Sequence, residues 1–375
     1  MRQLSRGVFA APELPQQTLA GLPPQTSSVR PLSRRAWMGL AALCAAAATW
    51  AALTPITGWA QTPSLAAPAA AGVKPGAFPQ RPVKIIVAFP AGGGTDIAAR
   101  VLAPKLSELW GQQVIVENRA GASGVIGTEA AARSVPDGYT LFMGTLGNFS
   151  VNQHLFPKMT VDPVRDFAPI TQVVDVHFVL LAHPALSANN VRELIALAKS
   201  KSGQLNHASS GAGGAPHLAA ELFKRMAGVD MLHIPYKGSA QSMQDVIGGQ
   251  VSMTFDSLLQ ALPFIRDGRL KAIAVLGSAR SAQLPDVPTV AESGLPGYEL
   301  TNWFGLAAPA ATSKDIVAQI YTDAARVLQG ADTKTRLTNM AAGVSGTTPE
   351  QFAARIRDDS AKWAKLIKEA GIKAD

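Results

Sequence analysis

Two glycine-rich segments carry the residues best suited to binding chemistry. The first, AFPAGGGTD (88–96), follows an apolar run and leads into a helical pattern, and the second, ASSGAGGAPH (208–217), repeats that arrangement. Glycine lets the backbone approach a ligand closely, and the first N–H groups of a helix have no partners within the helix. With the helix dipole, these groups favour an anion such as a carboxylate. We therefore predict two anion-binding loops that face one cleft.

Each candidate side chain in these segments also has a plainer structural interpretation. Asp96 would cap the first helix, or accept a hydrogen bond from a ligand N–H or a bridging water. His217 would begin the second helix and support its loop, or contact the ligand. Asp256 follows the apolar run VSMTF (251–255) and would face the cleft or cap a helix. The residue types alone leave these alternatives open.

Three further positions are candidates from their place in the chain. Asn148 and Ser150 follow a predicted strand of the first half, at the same sheet edge as the first loop, and would be cleft contacts or turn residues. Trp303 lies in an apolar stretch between the halves and would wall the cleft or pack in the core. Lys237 is the nearest candidate cation to the second loop.

The motifs of common catalytic sites are not present in the sequence. The loops lack the GxGxxG spacing of dinucleotide sites and the Gly-Lys-Ser/Thr of nucleotide P-loops. The six His form no HxH or HExxH cluster, and SSG at 209–211 is not GxSxG. We predict no cofactor, no metal site and no catalytic residues. The enzyme alternative would depend on Asp96, Asp256 and His217.

Strand and helix patterns alternate along the chain, which predicts an α/β fold with parallel sheets and helices on their faces. The C-terminal stretch from about Lys314 is helical by pattern. The predicted strands are 83–88, 112–118, 139–144, 205–209, 231–236, 251–255 and 271–277, and the predicted helices are 95–110, 125–132, 216–226, 240–247 and 257–265.

Two apolar extended stretches, 176–184 and 299–309, separate the analogous halves. We interpret them as crossover strands, through which the chain leaves one lobe and returns to it. Two lobes joined in this way form a hinge. The predicted domains are 81–178 plus 305–375 for the first and 179–304 for the second.

The N-terminal segment PLSRRAWMGLAALCAAAATWAALTPITGWAQ (31–61) has the pattern of an export signal. Residues 1–60 are predicted to be that signal with an N-terminal extension, and Arg34-Arg35 is twin-arginine-like, although Sec export stays open. Its apolar run of 16 residues is short for a membrane anchor, which needs about 20. Residues 61–80 read as a disordered Ala/Pro tether. The single cysteine, Cys44, lies within the signal.

The net charge of +8 comes partly from the predicted signal, because residues 1–60 hold five Arg and one Glu. The remainder has 29 basic and 25 acidic residues, a net charge of +4. No basic block or stripe interleaved with aromatic residues is present, so we predict no nucleic-acid binding. A mild positive field favours small anions.

Five segments together resemble the substrate-binding proteins of tripartite tricarboxylate transporters, often called the Bug family. The segments are FPAGGGTDIAARVLAPKLSELWGQQVIVENRAGASG (89–124), SSGAGGAPHLAAELF (209–223), HIPYKGSAQSMQDVIGGQV (233–251), TFDS (254–257) and LPDVPTVAESGLPGYEL (284–300). The resemblance runs from about Pro82 to the C-terminus. It implies a two-lobed periplasmic binding protein of type II topology that closes around a small carboxylate, with loops from both lobes holding it.

The resemblance also assigns contacts in the two loops and at the TFD motif. It implies Ala91, Gly92, Thr95, Asp96, Ser209, Ser210, Gly211, Ala212, His217 and Asp256. To these the predicted ligand-binding set adds Gly93, Asn148, Ser150 and Trp303 from their positions in the sequence.

We therefore expect a monomeric extracytoplasmic solute-binding protein that is not an enzyme. It would be exported to the periplasm and would deliver its carboxylate to the permease subunits of a tripartite tricarboxylate-type transporter. A sensor that presents its ligand to a membrane kinase is the first alternative, and an enzyme on the same fold is the second. The sequence does not identify the carboxylate.

Overall fold

Residues 78–372 are described by a computed structural model of the chain. The predicted export signal and the predicted tether up to residue 77 lie outside this range. Within residues 78–372, no helix is both long enough and apolar enough to cross a membrane.

Strands and helices alternate through most of the described chain. The strands are β1 (Val83–Val87), β2 (Val114–Asn118), β3 (Thr140–Thr145), β4 (Phe167–Val176), β5 (Phe178–Ala182), β6 (Asn206–Ser209), β7 (Leu232–Pro235), β8 (Met253–Ser257), β9 (Lys271–Val275), β10 (Asn302–Pro309) and β11 (Ala342–Val344). The helices are α1 (Gly94–Trp110), α2 (Val125–Ala132), α3 (Asn152–Leu155), α4 (Pro163–Asp166), α5 (Val191–Ser200), α6 (Ala215–Ala227), α7 (Ser239–Ile247), α8 (Leu258–Arg266), α9 (Lys314–Gln329), α10 (Ala331–Asn339) and α11 (Pro349–Ala370).

The strands form two sheets, one in each lobe. The first lobe has a six-stranded sheet in the order β11-β4-β10-β3-β1-β2, and the second has a five-stranded sheet in the order β7-β6-β8-β5-β9. In both sheets, the strand before the glycine loop lies between the next two strands of its own lobe, β2 and β3 or β7 and β8. The predicted two-lobed α/β class with analogous halves is therefore confirmed.

The sheets are mixed, whereas the alternating pattern predicted parallel sheets. Strand β1 pairs in parallel with β2 and β3, and β6 pairs in parallel with β7 and β8. Strand β10 is antiparallel to β3 and β4, and β5 is antiparallel to β8 and β9. The antiparallel strands β10 and β5 are those that follow the crossings, because each enters its sheet from the opposite lobe.

The two crossings lie side by side. The chain leaves β4 at Val176 and enters β5 at Phe178, so that only His177 separates the two sheets. The return leads into β10, whose first residue, Asn302, is the register partner of Val176. The predicted domain boundary after residue 304 falls within β10, which belongs entirely to the first sheet.

Aromatic packing makes the first lobe rigid behind the cleft. Phe149 stacks on Trp303 with ring centroids 5.8 Å apart, and Phe352 meets both rings edge-on. All three side chains are fully buried. Close packing of this kind holds the ends of β3 and β10 in fixed positions.

Candidate functional site

A cavity between the lobes contains the carboxyl ends of parallel strands from both sheets, the position where open α/β sheets bind ligands. The cavity and its opening to solvent together have a volume of about 490 Å³. The residues that line it are Phe89, Gly93, Gly94, Thr95, Ser123, Thr145, Gly147, Asn302 and Phe304 from the first lobe, and Phe178, Ser210, Gly214, Ala215, Pro216, Ser239, Asp256 and Ser257 from the second.

Helix α1 begins at the cavity because the first glycine loop ends there. Its N-cap residue is Gly93, which has an extended backbone and no side chain to satisfy the first N–H groups. Gly94 follows, and a Cβ atom on it would lie 3.1 Å from Ser257 Oγ of the opposite lobe. Glycine here lets the second lobe approach the start of α1 closely.

Three helices of the second lobe begin at the same cavity. Helix α6 follows Gly214, α7 follows Gly238 and α8 follows Ser257, and none of these N-cap residues donates or accepts a side-chain capping hydrogen bond. The structure therefore brings the starts of α1, α6, α7 and α8 to one cavity. Helix dipoles and the N–H groups of the first turns make the cavity favourable for an anion. At α8 the Leu258 N–H already donates to the His177 carbonyl at 2.8 Å, and Pro216 in the first turn of α6 has no N–H.

Side-chain caps occur at helices that begin elsewhere. Asp162, Asn190, Ser313 and Thr348 cap α4, α5, α9 and α11 with their side chains. Helices α2, α3 and α10 also lack a side-chain cap, although none of their first residues lines the cavity. The convergence of four uncapped helix starts, rather than one missing cap, distinguishes this site.

Among the described residues that line the cavity, Asp256 is the one with an ionisable side chain, and the others are uncharged. It is 1% exposed. Its Oδ1 atom accepts hydrogen bonds from Ser239 Oγ at 3.0 Å and from the Ser257 N–H at 2.6 Å, whereas Oδ2 has no partner in the protein. Burial raises the pKa of Asp256 to about 6, against the lowering effect of these two hydrogen bonds.

Two further buried polar atoms at the start of α8 have no protein partner. They are Ser257 Oγ and Gln260 Oε1. Buried polar atoms are nearly always hydrogen-bonded, so each exception needs an explanation. Orphaned oxygens beside a cavity fit a site whose polar groups are completed by a ligand or by water.

The predicted site residues divide into a group in the cavity and a group behind it. Gly93, Thr95, Ser210 and Asp256 line the cavity. Ala91 and Gly92 are exposed on the first loop, whereas Gly211 is buried and Ala212 half-buried in the second, and none of the four lines the cavity.

Asp96 anchors the first loop from behind and does not line the cavity. Its carboxylate accepts hydrogen bonds from the Gly92 N–H at 3.0 Å, from Arg100 Nε at 2.9 Å and from Asn118 Nδ2 at 2.9 Å. Burial raises the pKa of Asp96, but the hydrogen bonds from Arg100, Gly92 and Asn118 and the Arg100 charge outweigh it, and the net effect is a lowered pKa. Its oxygens are therefore engaged by the protein itself.

The second loop is supported by histidines that the loop covers. Ser209 Oγ lies 2.6 Å from His233 Nε2 and accepts from the Gly211 N–H at 3.1 Å. His217 Nδ1 accepts from the Gly213 N–H at 3.0 Å, and its ring stacks on that of His233 with centroids 4.1 Å apart. Ser209 and His217 thus hold the loop rather than line the cavity.

Three predicted cleft residues lie in the first-lobe core instead. Asn148 accepts a hydrogen bond from the Thr145 N–H and donates one to Thr128 Oγ1. Ser150 donates to the Ile356 carbonyl at 3.0 Å. Trp303 is fully buried and donates from Nε1 to Asp359 Oδ2 at 2.8 Å. For Trp303 the physical reason is alternation: Asn302 and Phe304 line the cavity, so the side chain between them on β10 faces the opposite side of the sheet. Asn148 and Ser150 lie in the helical turn after β3, which directs both side chains into the core.

Ser123 is a cavity residue that the sequence reasoning missed. It lies in a run of four residues with positive φ, from 137° at Gly121 through 46° at Ala122 and 53° at Ser123 to 88° at Gly124. Such a backbone is costly for residues other than glycine and is found where the surrounding structure enforces it. The two flanking glycines, within the segment AGASG, were the available signal.

Contacts across the cleft show that the lobes meet around the cavity. Ser123 Oγ donates to the Ala212 carbonyl at 2.5 Å, which joins a first-lobe loop to the second glycine loop. A Cβ atom on Gly238 would lie 2.5 Å from Pro90 Cδ, so the second lobe also touches the first glycine loop.

Comparisons with known proteins match most of the chain. A family model described as "Tripartite tricarboxylate transporter family receptor" matches residues 98–372. The chain is 37% identical over 313 residues to the protein BugT of Bordetella pertussis, which corresponds to 83% of this chain and 95% of BugT.

Two solved structures from Rhodopseudomonas palustris are similar to the chain along nearly their whole length. Rpa4515 with adipate has a TM-score of 0.77 and 35% identity, and the match covers 79% of this chain and 99% of that protein. MatC with bound malate has a TM-score of 0.75 and 33% identity, and the match covers 77% of this chain and all of MatC.

Proposed function

The chain belongs to the tripartite tricarboxylate transporter receptor family, and from that membership we propose that it captures a small carboxylate between its two lobes. The family membership that the sequence motifs predicted is therefore confirmed. The fold is the two-lobed type II fold of periplasmic binding proteins. The similar proteins with adipate and malate support a dicarboxylate as the ligand class.

The convergence of α1, α6, α7 and α8 on one cavity carries this proposal. A bound anion there would accept hydrogen bonds from main-chain N–H groups of both lobes. Each helix start contributes about 0.3–1 kcal/mol to an exposed anion and up to about 2 kcal/mol to a partly buried one. Direct hydrogen bonds to a charged group add roughly 1.5–3 kcal/mol each. These terms support carboxylate binding without a Lys or Arg in the lining.

We propose that capture serves transport. The protein would be exported to the periplasm, would act as a monomer and would hand its ligand to the permease subunits of a tripartite transporter. The export-signal pattern of residues 31–61 and the family membership support this role. No catalytic role is proposed, because the single ionisable group of the described cavity lining, Asp256, provides no acid–base pair.

Thermal melting of the purified protein with small carboxylates tests the binding. The panel contains malate, adipate, longer and shorter dicarboxylates and the uncharged diamide of each. A ligand present at 100 times its Kd stabilises the folded protein by about 2.7 kcal/mol. We expect a melting shift with certain carboxylates and none with their diamides. Equal shifts with acid and diamide, or no shift with any carboxylate, would contradict anion capture.

A deletion strain separates transport from sensing. Transport predicts that the strain fails to grow on the ligand as sole carbon source even when the transporter genes are expressed from an independent promoter. Sensing predicts that the same forced expression restores growth, because only the transcriptional response was lost.

A further inference from the structure

Asp256 places a buried carboxyl group in a cavity that is otherwise suited to binding an anion. Its side chain is 1% exposed, it lines the cavity, and its Oδ2 atom has no partner in the protein. The same cavity contains the starts of four helices without side-chain caps. A carboxylate ligand drawn to these N–H groups would therefore share a small buried space with another carboxyl group.

Within residues 78–372, no Lys or Arg side chain lines the cavity beside Asp256, so only the partial charges of the helix starts oppose the repulsion within such a pair. Its hydrogen bonds come from the neutral groups of Ser239 and Ser257, and burial is the largest influence on its pKa. Two carboxylates that share a buried site cannot both ionise without a large repulsion, so one of them retains a proton.

The elements packed around β8 do not supply the missing charge. These elements are β5, β6, α6, α7 and α8, with α1 packed against α8. Strand β5 has no titratable residue, although His177 lies just before it. The titratable residues on the other elements are His207 on β6, His217, Glu221, Lys224 and Arg225 on α6, Asp245 on α7, Arg266 on α8, and Asp96, Arg100, Lys105 and Glu108 on α1. Lys237, two residues before Ser239, is exposed and does not line the cavity, and burial is the largest cause of the raised pKa of Asp256.

Resting on the proposed function, we propose that Asp256 binds the carboxylate ligand as a neutral acid, so that the protein takes up one proton with the ligand. The proton comes from solvent and resides on Asp256 Oδ2. From there it forms an O–H···O hydrogen bond with a carboxylate oxygen of the ligand. The proton compensates one negative charge of the ligand, so a dicarboxylate adds a net charge of −1 to the protein instead of −2.

Burial prepares Asp256 for this role by raising its pKa to about 6. Above that pH the side chain is ionised before binding and must gain a proton. Affinity for a carboxylate is therefore highest below about pH 6 and falls as pH rises through and above that value. For a single linked proton, Kd increases tenfold for each pH unit between the pKa of the unliganded site and the higher pKa of the same group in the complex.

Isothermal titration calorimetry with malate and with adipate tests this proposal. At pH 7.5 the binding enthalpy is measured in two buffers with different ionisation enthalpies, which counts the protons exchanged. We expect uptake of nearly one proton, and a tenfold weaker Kd at pH 8 than at pH 7, where both probes are fully ionised. Carboxylate binding without proton uptake overturns the inference and leaves the proposed function standing.

The substitution Asp256→Asn assigns the proton to this residue. Asn keeps the acceptor for Ser239 and Ser257 and places a permanent N–H donor at the position of Oδ2. We expect this variant to bind the same probe with a Kd that changes less than twofold between pH 7 and pH 8. Asp245→Asn, on α7 and outside the cavity lining, is the matched control and should keep the tenfold dependence.

The remaining outcomes also decide the question. If Asp256→Asn stays folded and abolishes binding of both probes, a neutral donor at the Oδ2 position does not replace Asp256, and the inference is wrong. If it does not fold, the proton count of the unsubstituted protein decides alone. If no carboxylate binds the unsubstituted protein, the proposed function fails and takes this inference with it.

Discussion

Asp96 fixes the shape of the first glycine loop through its charge. Its buried carboxylate accepts from the Gly92 N–H within the loop, from Arg100 one turn further along α1, and from Asn118 at the end of β2. These partners tie the loop to the helix and to the sheet. Asp96 is thus a positioning residue, and its effect on ligand binding passes through the loop backbone.

Replacement of Asp96 by Asn is expected to destabilise the protein by about 1–3 kcal/mol at pH 7, since it leaves buried donors partly unpaired. The folded-state pKa of Asp96 is lowered, so its contribution is present above about pH 4, the usual unfolded value, and is lost as pH falls through the folded pKa. Urea unfolding at pH 7 measures the loss.

Glu108→Gln is the control for the Asp96 substitution. Glu108 is 69% exposed and pairs with Lys105 at 3.5 Å on the surface of the same helix. Exposed pairs contribute about 0–1 kcal/mol. An equally small effect for Asp96→Asn would contradict the anchoring role.

His207 makes the second lobe sensitive to acid. It is fully buried, neither ring nitrogen has a partner, and its ring lies 5.0 Å from that of His233. Burial, and then the neighbouring His233, lower the pKa of His207 to about 2. The unfolded chain therefore binds a proton below about pH 6.5 that the folded protein excludes.

The substitution His207→Phe is expected to flatten this acid sensitivity. From pH 7 to pH 5, proton binding to His207 in the unfolded chain lowers the free energy of unfolding by about 2 kcal/mol. The Phe variant lacks this contribution, so its stability should fall by about 2 kcal/mol less over that range. Guanidinium unfolding at both pH values gives the two differences. Parallel losses in both proteins would contradict this account.

At the scale of single residues, the sequence predicted the loops better than their side chains. The sequence placed Gly93 and Ser210 at the cavity because glycine and serine between a strand and a helix commonly form a loop whose backbone approaches a ligand. Trp303 could not, because its orientation depends on the register of β10, and a shift by one residue would exchange it with Phe304. The roles of the predicted residues in ligand binding stay predictions.

At the scale of elements, glycine before α7 permits the lobes to meet. Gly238 has an extended backbone with φ of 176°, which any residue can adopt, so its importance is steric. Its missing side chain leaves room for Pro90 of the first loop. Helix α7 can therefore dock against the first lobe only if residue 238 has no Cβ atom.

Gly238→Ala is expected to weaken carboxylate binding without loss of folding. A Cβ atom 2.5 Å from Pro90 Cδ must displace one lobe, and overpacking of this kind costs about 1–3 kcal/mol, or roughly a five- to 150-fold increase in Kd. Calorimetry with adipate measures the affinity, and circular dichroism melting checks the fold. Gly248→Ala, at the other end of α7, should leave Kd unchanged, because its Cβ would make only ordinary contacts.

Most elements of the fold could be predicted from periodicity, with defined exceptions. The strand and helix around each glycine loop were predicted within one or two residues, since an apolar run, glycines and a helical pattern occur in order. Strand β4 was missed because FAPITQVVDV (167–176) mixes apolar residues with polar ones and a proline, Pro169, which pairs with Ala307 of the antiparallel strand β10. Local periodicity contains no information about such partners.

At the scale of the whole molecule, hydrogen bonds within residues 78–372 join the lobes at the cavity and at two places beyond it, in addition to the close approach of Gly238 to Pro90. Ser123 joins the two cavity loops, Arg225 donates to the Glu369 carbonyl at 2.9 Å, and Gln283 donates to the Thr338 carbonyl at 3.3 Å. Each is a single hydrogen bond to a main-chain oxygen. Such contacts are individually weak, so the closed arrangement is expected to depend on the ligand.

Ser123→Ala is expected to shift the lobes toward an open arrangement. The lost hydrogen bond contributes about 0.5–1.5 kcal/mol, which reduces the closed population about two- to tenfold. Small-angle X-ray scattering at a fixed, subsaturating concentration of adipate, where the unsubstituted protein is partly closed, should give a larger radius of gyration for the variant than for the unsubstituted protein. Ser134→Ala, which removes a hydrogen bond within the first lobe, should not change it. Identical scattering from all three proteins would contradict the role of Ser123.

The convergence of helix starts on the cavity has an evolutionary consequence. Main-chain N–H groups are present whatever the side chain, so substitution at most positions does not remove them. A lineage could therefore alter the wall residues Phe89, Phe178 and Phe304 and acquire a new carboxylate without losing hold of the charged end. Binding of the carboxylate group and selectivity for the rest of the ligand would then evolve independently. One fold could give rise to receptors for many carboxylates while the main-chain binding of the charged group stays the same.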